Sequence, residues 1–292
     1  MPKVAAIQMV TTAQVDDNLA AAARLIDSAA TQGADLVLLP EVFAVLEGSA
    51  EGKGNDPMRE HAEVEADPSG KLQNFLSAQA KTHNIYLIGG TIPLASRPGK
   101  AATDPDYLVD NNRVRASSLV YDRNGKQLAR YDKIHLFDVK VDDKQGQYSE
   151  SRSYEPGTDL VCLNTELGKL GLSVCYDMRF PEFYRQLFLA GAQLITVPAA
   201  FTAVTGSAHW ESLLRARAIE NQCYVIAAAQ GGRHNEKRQT WGHSMIIDPW
   251  GTILSELETG EGVAIAEINL NWLNEVRTRI PIADHIRLHD QQ

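Results

Sequence analysis

Short apolar runs alternate along this chain with longer segments whose apolar residues recur at helical spacing, the grammar of a layered α/β fold. Residues 3–9 read as a first strand. Residues 17–31, rich in alanine and closed by Gly33, read as a helix. Residues 35–39 are a continuous apolar run of the kind buried on both faces. A second helix is predicted over 69–82, a strand over 85–90, and a hairpin over 117–131 about Asn124-Gly125. The strand at 170–174 precedes a helix that Pro181 can open, since proline fits a first helical turn. Strands over 194–197 and 223–229 flank a helix over 208–221, and residues 244–257 give a last hairpin bent at Asp248-Pro249-Trp250-Gly251.

These elements come in two similar sets. Gly33-Ala34-Asp35-Leu36 runs to Pro40 as Gly191-Ala192-Gln193-Leu194 runs to Pro198. Tyr86-Leu87-Ile88 then matches Tyr224-Val225-Ile226, and the hairpin from Leu119 to Gly125 matches that from Met245 to Gly251. Three pairs in one order imply a weak internal duplication, two α/β halves whose sheets stack face to face with helices outside. Two polar stretches, 46–70 and 95–115, interrupt the plan and are expected to rim a site, because loops of such length are usually lids or insertions.

Composition narrows the class. The 292 residues are 44% hydrophobic and 22% charged, as in an ordinary globular enzyme, and they can bury about three-quarters of the unfolded chain's surface. With 28 basic and 37 acidic residues the net charge is -9, a poor footprint for nucleic acid or an anionic membrane. No apolar run is long enough to span a bilayer, and the first ten residues lack a secretory pattern, so a cytoplasmic location is expected. Cys162, Cys175 and Cys223 have no metal-ligand spacing and are expected to be free thiols.

Candidate chemistry lies where reactive side chains follow strands or end a hairpin. The run 36–40 delivers Glu41, 128–132 delivers Lys133 and 171–174 delivers Cys175. In open α/β sheets the pocket lies beyond the carboxyl ends of strands, so such residues can converge. Cys162 and Cys223 sit in apolar runs where cysteine acts as a small hydrophobe. Cys175 instead opens the polar turn Tyr176-Asp177-Met178-Arg179, where an ammonium and helix amides can lower a thiol's pKa and supply thiolate. A structural cysteine is the commoner case, as is a solvated surface lysine for Lys133. Glu41, after Leu39-Pro40, is costly to bury without a partner or a proton, and either state suits a general base and acid. Lys133 can pair with it and face a carbonyl oxygen that becomes negative.

Leu39-Pro40-Glu41, the segment from Tyr131 to Phe137 and that from Cys175 to Glu182 resemble the three catalytic segments of the nitrilase superfamily of carbon-nitrogen hydrolases. The resemblance runs from Val4 to about Pro281. It implies an αββα sandwich that pairs with a second chain, giving a homodimer or higher homo-oligomer. It also implies Glu41 as general base, Lys133 as oxyanion stabiliser, Cys175 as nucleophile and Glu150 as a second glutamate that positions substrate or water. No cofactor or metal is implied. One hydrolase domain is expected over residues 1–270, with 271–292 as an extension that contributes to subunit packing.

Within the superfamily, the stretches 205–211, 214–224, 228–238 and 242–244 are similar to the branch that hydrolyses deaminated glutathione. Ser207 stands where that branch usually has proline, and Gly231 where some members have cysteine. A small anionic amide is the implied partner, with omega-amidase action on 2-oxoglutaramate or 2-oxosuccinamate, or action on another small carboxylate-bearing amide, as the alternative. Arg179 and Arg233 are the candidates for its carboxylate, because guanidinium binds carboxylate through two parallel hydrogen bonds. A structural ion pair is an equal reading of Arg233. Tyr176 can offer its backbone N–H to the oxyanion, and Phe201 and Thr202 can line the pocket. His209 fits a core or helix-capping role equally well. No GxSxG elbow or phosphate loop occurs, Gly52-Lys53-Gly54 is too short to count, and His285 with His289 lacks the further ligands of a zinc site.

Overall fold

Period-two alternation sorts the side chains of the apolar strands onto two faces, and here both faces are covered. The structure, a computed structural model, describes residues 1–46 and 57–287. The glycine cluster at 52–54, the part of the acidic stretch at 47–56 and His289 lie outside the described residues. Six strands open the first sheet: β1 (Lys3–Gln8), β2 (Leu36–Leu38), β3 (Tyr86–Ile88), β4 (Ile92–Leu94), β5 (Arg115–Tyr121) and β6 (Gln127–Asp132). A small hairpin of β7 (Asp138–Lys140) and β8 (Gln147–Ser149) follows. The second sheet contains β9 (Cys162–Thr165), β10 (Gly168–Leu172), β11 (Leu194–Ala199), β12 (Tyr224–Ala229), β13 (Met245–Ile247) and β14 (Ile253–Glu256). Finally β15 (Gly262–Glu267) returns to the first sheet, antiparallel to β1.

The layers follow from the alternation. Val4 and Ala6 of β1 and Leu36 and Leu38 of β2 face the second sheet, in one core with Leu170, Leu172, Val225 and Ile246. Ala5, Ile7, Val37 and Leu39 face outward, onto Leu25, Ile26 and Ala29 of α1 (Val15–Thr31) and Leu76 of a later helix. A short turn of helix, α2 (Pro57–Glu60), precedes that helix, α3 (Lys71–His83). On the far side α4 (Pro181–Leu189) and α5 (Ala203–Asn221) bring Tyr184, Leu187, Trp210, Leu214 and Ala218 onto the second sheet. The result is an αββα sandwich. Past residue 270, α6 (Leu270–Arg279) buries Leu273 and Val276, and Arg277 donates to the carbonyls of Gln222 and Ala192. A last turn, α7 (Ile282–His285), follows.

The two halves share their strand grammar. β1, β2 and β3 run parallel with an antiparallel hairpin beyond them, as do β10, β11 and β12. The match extends to single hydrogen bonds. Asp122 Oδ1 accepts the amides of Asn124 and Lys126, with Gly125 at φ 77°; Asp248 Oδ1 accepts those of Trp250 and Thr252, with Gly251 at φ 86°. Only residues tolerant of the left-handed region close such turns cheaply.

One difference from the sequence reading, and the build of one polar stretch, have clear causes. Helix α5 begins at Ala203, not 208, because the Thr202 hydroxyl accepts the Thr205 amide and Gly206 sits flush against Trp241, where a Cβ would lie 2.3 Å from that side chain. The stretch 95–115 is not loose: Arg97 and Arg115 pair with Glu155, and Arg97 also holds Asp110. These arginines hold the Glu155 carboxyl down at about 2, their hydrogen bonds outweighing the upward push of burial.

Candidate active site

The ends of β2 and β11 meet at one edge of the sandwich, and the first candidate sits there. Pro40 stops β2, and the turn that follows places Glu41 with a side chain 7% exposed. Val42 has φ 52°, and its amide donates to Thr91 Oγ1. Gly90 packs under this turn so closely that a Cβ would lie 1.9 Å from the Pro40 carbonyl oxygen. Glu41 Oε2 accepts the Ala200 amide at 2.8 Å, so a carboxylate from the first sheet is fixed by backbone of the second. Gln230 braces the same junction, donating to the Glu41 carbonyl and to Thr11 Oγ1.

Lys133 follows β6 with its amide on the Ala116 carbonyl, so sheet pairing continues up to the catalytic candidate. Its ammonium lies 2.8 Å from Glu41 Oε1 and 2.8 and 2.9 Å from the two oxygens of Glu150. Burial alone would lower the Lys133 pKa, but the charges of Glu150 and Glu41 outweigh it and hold it well above the usual value. Lys133 is therefore an ammonium at any physiological pH. Glu150, in the turn after β8, also accepts the Phe137 amide at 2.6 Å. Burial raises its pKa, with Lys133 opposing and Glu41 adding to the rise.

Cys175 opens the turn after β10 with φ 46°, a left-handed conformation that a non-glycine residue adopts only when its surroundings impose it. Asp177, wholly buried, imposes it. One carboxylate oxygen accepts the Val174 amide at 2.8 Å and the Tyr131 hydroxyl at 2.6 Å; the other accepts the His135 amide at 3.1 Å and lies 2.7 Å from His135 Nδ1. Asp177 thus couples the Cys175 turn to the segment carrying Lys133. Its acceptor role had no signal in the chain, since it depends on partners 42 and 46 residues away.

The expected lowering of the Cys175 pKa does not occur. Burial pushes the thiol well above its usual range, the Glu41 charge pushes further, and the Lys133 ammonium offsets only part. The resting group is a thiol beside a carboxylate able to accept its proton. Cys162 and Cys223 are also raised by burial, Cys223 to about 12, with the charge of Lys169 opposing the rise in the first and that of Arg277 in the second.

The remaining candidates divide. Tyr176 and Arg179 follow Cys175, with the Arg179 guanidinium 5.0 Å over Phe201 and 6.0 Å over Tyr176. Among the described residues Arg179 has no carboxylate partner; its guanidinium nitrogens lie 3.4 Å from Nδ1 of the exposed His209. Phe201 is buried against Trp210 and serves as the platform for Arg179. Thr202 is buried, and its hydroxyl is engaged with Thr205 as the cap of α5. Arg233 is exposed, with Nε donating to the nearby Asn235 carbonyl. The structure instead carries Arg238 over Tyr148, two residues before Glu150.

A thiol, a carboxylate touching both it and an ammonium, and a second carboxylate locking that ammonium are the groups that hydrolysis through a thioester requires. The carbon-nitrogen hydrolase family model matches residues 3–278, and the chain belongs to that family. It is 44% identical over 285 residues to a deaminated glutathione amidase of Synechocystis sp., covering 96% of each chain. It is 40% identical over 284 residues to one from Yersinia enterocolitica, covering 97% of this chain and 92% of that one. The crystal structure of Saccharomyces cerevisiae Nit3, a member of branch 10 of the nitrilase superfamily, superposes with a TM-score of 0.83 at 31% identity, covering 98% of this chain and 97% of that one.

Proposed function

We propose that this protein hydrolyses the amide bond of deaminated glutathione, releasing 2-oxoglutarate and cysteinylglycine. The observation that carries the chemistry is the Lys133 ammonium held by Glu41 and Glu150 beside a strained Cys175. Glu41 takes the thiol proton as Cys175 Sγ attacks the amide carbonyl, and the new oxyanion is held by Lys133 and the Tyr176 amide. Glu41, now protonated, gives its proton to the leaving nitrogen as the C–N bond breaks. Water then attacks the thioester while losing a proton to Glu41, and the sulfur recovers that proton as acid product leaves. Glu150 keeps Lys133 charged and aimed. Arg179 takes the carboxylate of the 2-oxo acid.

The substrate choice is supported by relatives that bear that activity in their names over nearly the whole chain. We also propose that one hydrolase domain over residues 1–270 works in the cytoplasm as a homodimer or larger homo-oligomer, with 271–292 at the subunit contact and no cofactor. Among the described residues no helix is long and apolar enough to cross a membrane.

Two measurements test this reading. Rapid mixing with deaminated glutathione should show a 2-oxoglutaryl mass on Cys175, and Cys175→Ala should abolish both it and turnover. A kcat/KM for 2-oxoglutaramate above that for deaminated glutathione would replace the proposal with an omega-amidase.

A further inference from the structure

Deaminated glutathione carries two carboxylates, one on the acyl half and one at the glycine end of the leaving peptide. Resting on the function proposed above, we infer that Arg238 binds the second carboxylate and so sets specificity for a peptide-like leaving group. Three rings form a row beside the catalytic groups: Tyr176 lies 5.1 Å from Phe137, and Phe137 lies 5.2 Å from Tyr148. The row borders the site at several points, since Tyr176 follows Cys175, the Phe137 amide donates to Glu150, and Tyr148 is two residues from Glu150. A guanidinium stands at each end, Arg179 over Tyr176 and Arg238 5.3 Å over Tyr148. An extended amide with a carboxylate at each end matches that arrangement of charges.

Arg238 is held in place by construction. Its amide donates to Asn235 Oδ1 and its carbonyl accepts the His234 amide. The next residue, Gln239, accepts the Ala203 amide, three positions from the amide that fixes Glu41. His234 roots the loop through Thr11 O and Thr240 Oγ1, and burial keeps it neutral by lowering its pKa to about 4. Yet the Arg238 Nε is shut off from solvent with no hydrogen bond, and among the described residues no carboxylate pairs with the guanidinium. By contrast Arg97, Arg115 and Arg130 each hold a carboxylate. A charged, partly buried guanidinium without an acidic partner is costly, and a ligand carboxylate would meet its terminal N–H groups with charge-assisted bonds.

The test compares Arg238→Gln with wild type on deaminated glutathione, on the same compound with its glycine carboxylate converted to carboxamide, and on 2-oxoglutaramate. Arg238→Gln should lose about 10- to 100-fold in kcat/KM on deaminated glutathione, mainly through KM. It should stay within about twofold of wild type on 2-oxoglutaramate, which lacks the second carboxylate. The carboxamide compound should lower wild-type kcat/KM by the same factor and lower that of Arg238→Gln no further than the free acid does. Arg238→Lys should recover part of the loss, whereas Arg179→Gln should lose on every substrate. Equal losses on both natural amides, no loss on deaminated glutathione, or wild-type indifference to the carboxamide would each overturn the assignment. If wild type fails on deaminated glutathione but turns over another amide, the functional reading falls, and this inference with it.

Discussion

Lys133→Met puts the heart of the site to a quantitative test. The substitution keeps an unbranched side chain one atom shorter and removes the ammonium that lies within 2.9 Å of three carboxylate oxygens. Breaking a buried ion pair by deleting one partner costs about 3–5 kcal/mol, because the other charges stay buried without compensation. For a chain of this size that corresponds to a fall of about 6–15 °C in Tm. The cost should depend on pH in a definite direction. Glu150 already sits above its ordinary value through burial and the Glu41 charge, with Lys133 the opposing influence. Removing Lys133 raises its folded pKa further above the unfolded one. A group shifted that way contributes stability below the unfolded pKa and loses it as pH rises through the folded one. The deficit of the variant should therefore be largest at pH 8 and shrink towards pH 5. Turnover should fall at least about 10²- to 10³-fold, the cost of one oxyanion donor. Thermal unfolding at pH 5 and pH 8, with kcat on an amide substrate, reads all three effects. A deficit that is the same at both pH values, or a Tm at pH 8 within a degree of wild type, would refute the buried triad.

Asp177→Asn removes the charge that gathers the Val174 and His135 amides and the Tyr131 hydroxyl; urea unfolding should show a loss of about 2–4 kcal/mol. Its kcat should fall about 10- to 100-fold as the Cys175 turn relaxes, with KM moving less. Gly90→Ala would force a Cβ to within 1.9 Å of the Pro40 oxygen at a φ of 49°, and should cost more than about 2 kcal/mol and displace Glu41, seen as a matching loss of kcat. Glu155, held at about 2, should contribute about 3 kcal/mol above its unfolded pKa, lost as pH falls from about 5 to 2. Denaturant midpoints for Glu155→Gln and wild type should therefore converge at pH 2; a constant gap would count against the arginine cluster as its cause.

The parts of the fold written in local pattern could be read without coordinates: the apolar runs, the Asn124-Gly125 turn, and the repeated order of strands. So could Glu41, Lys133 and Cys175, because each sits in a short motif at the end of an element. What escaped was set by partners distant in the chain. β15 gains its identity only by pairing with β1, more than 250 residues earlier, and the three-residue strands β4, β7 and β8 are too short to announce themselves. The direction of the Cys175 pKa depends on how completely the turn is buried, which composition does not encode. Arg233 and Arg238 share one small loop, where the direction of each side chain is fixed by hydrogen bonds to Asn235, Thr11 and Ala203 that the local pattern does not announce.

The doubled strand plan has one more consequence. Glu41 follows Pro40, and the position that matches it in the second half, after Pro198, is Ala199. The neighbour of that alanine, Ala200, supplies the amide that holds Glu41. One copy of the corner thus bears the proposed acid and the other is its cradle, while the proposed nucleophile Cys175 and the Lys133 ammonium also lie in different halves. The repeat of strand order is broken at its ends, and neither half holds all three of Glu41, Lys133 and Cys175. A chain severed in the exposed link at 158–159 should be inert as separate pieces and regain turnover only when the two sheets stack again.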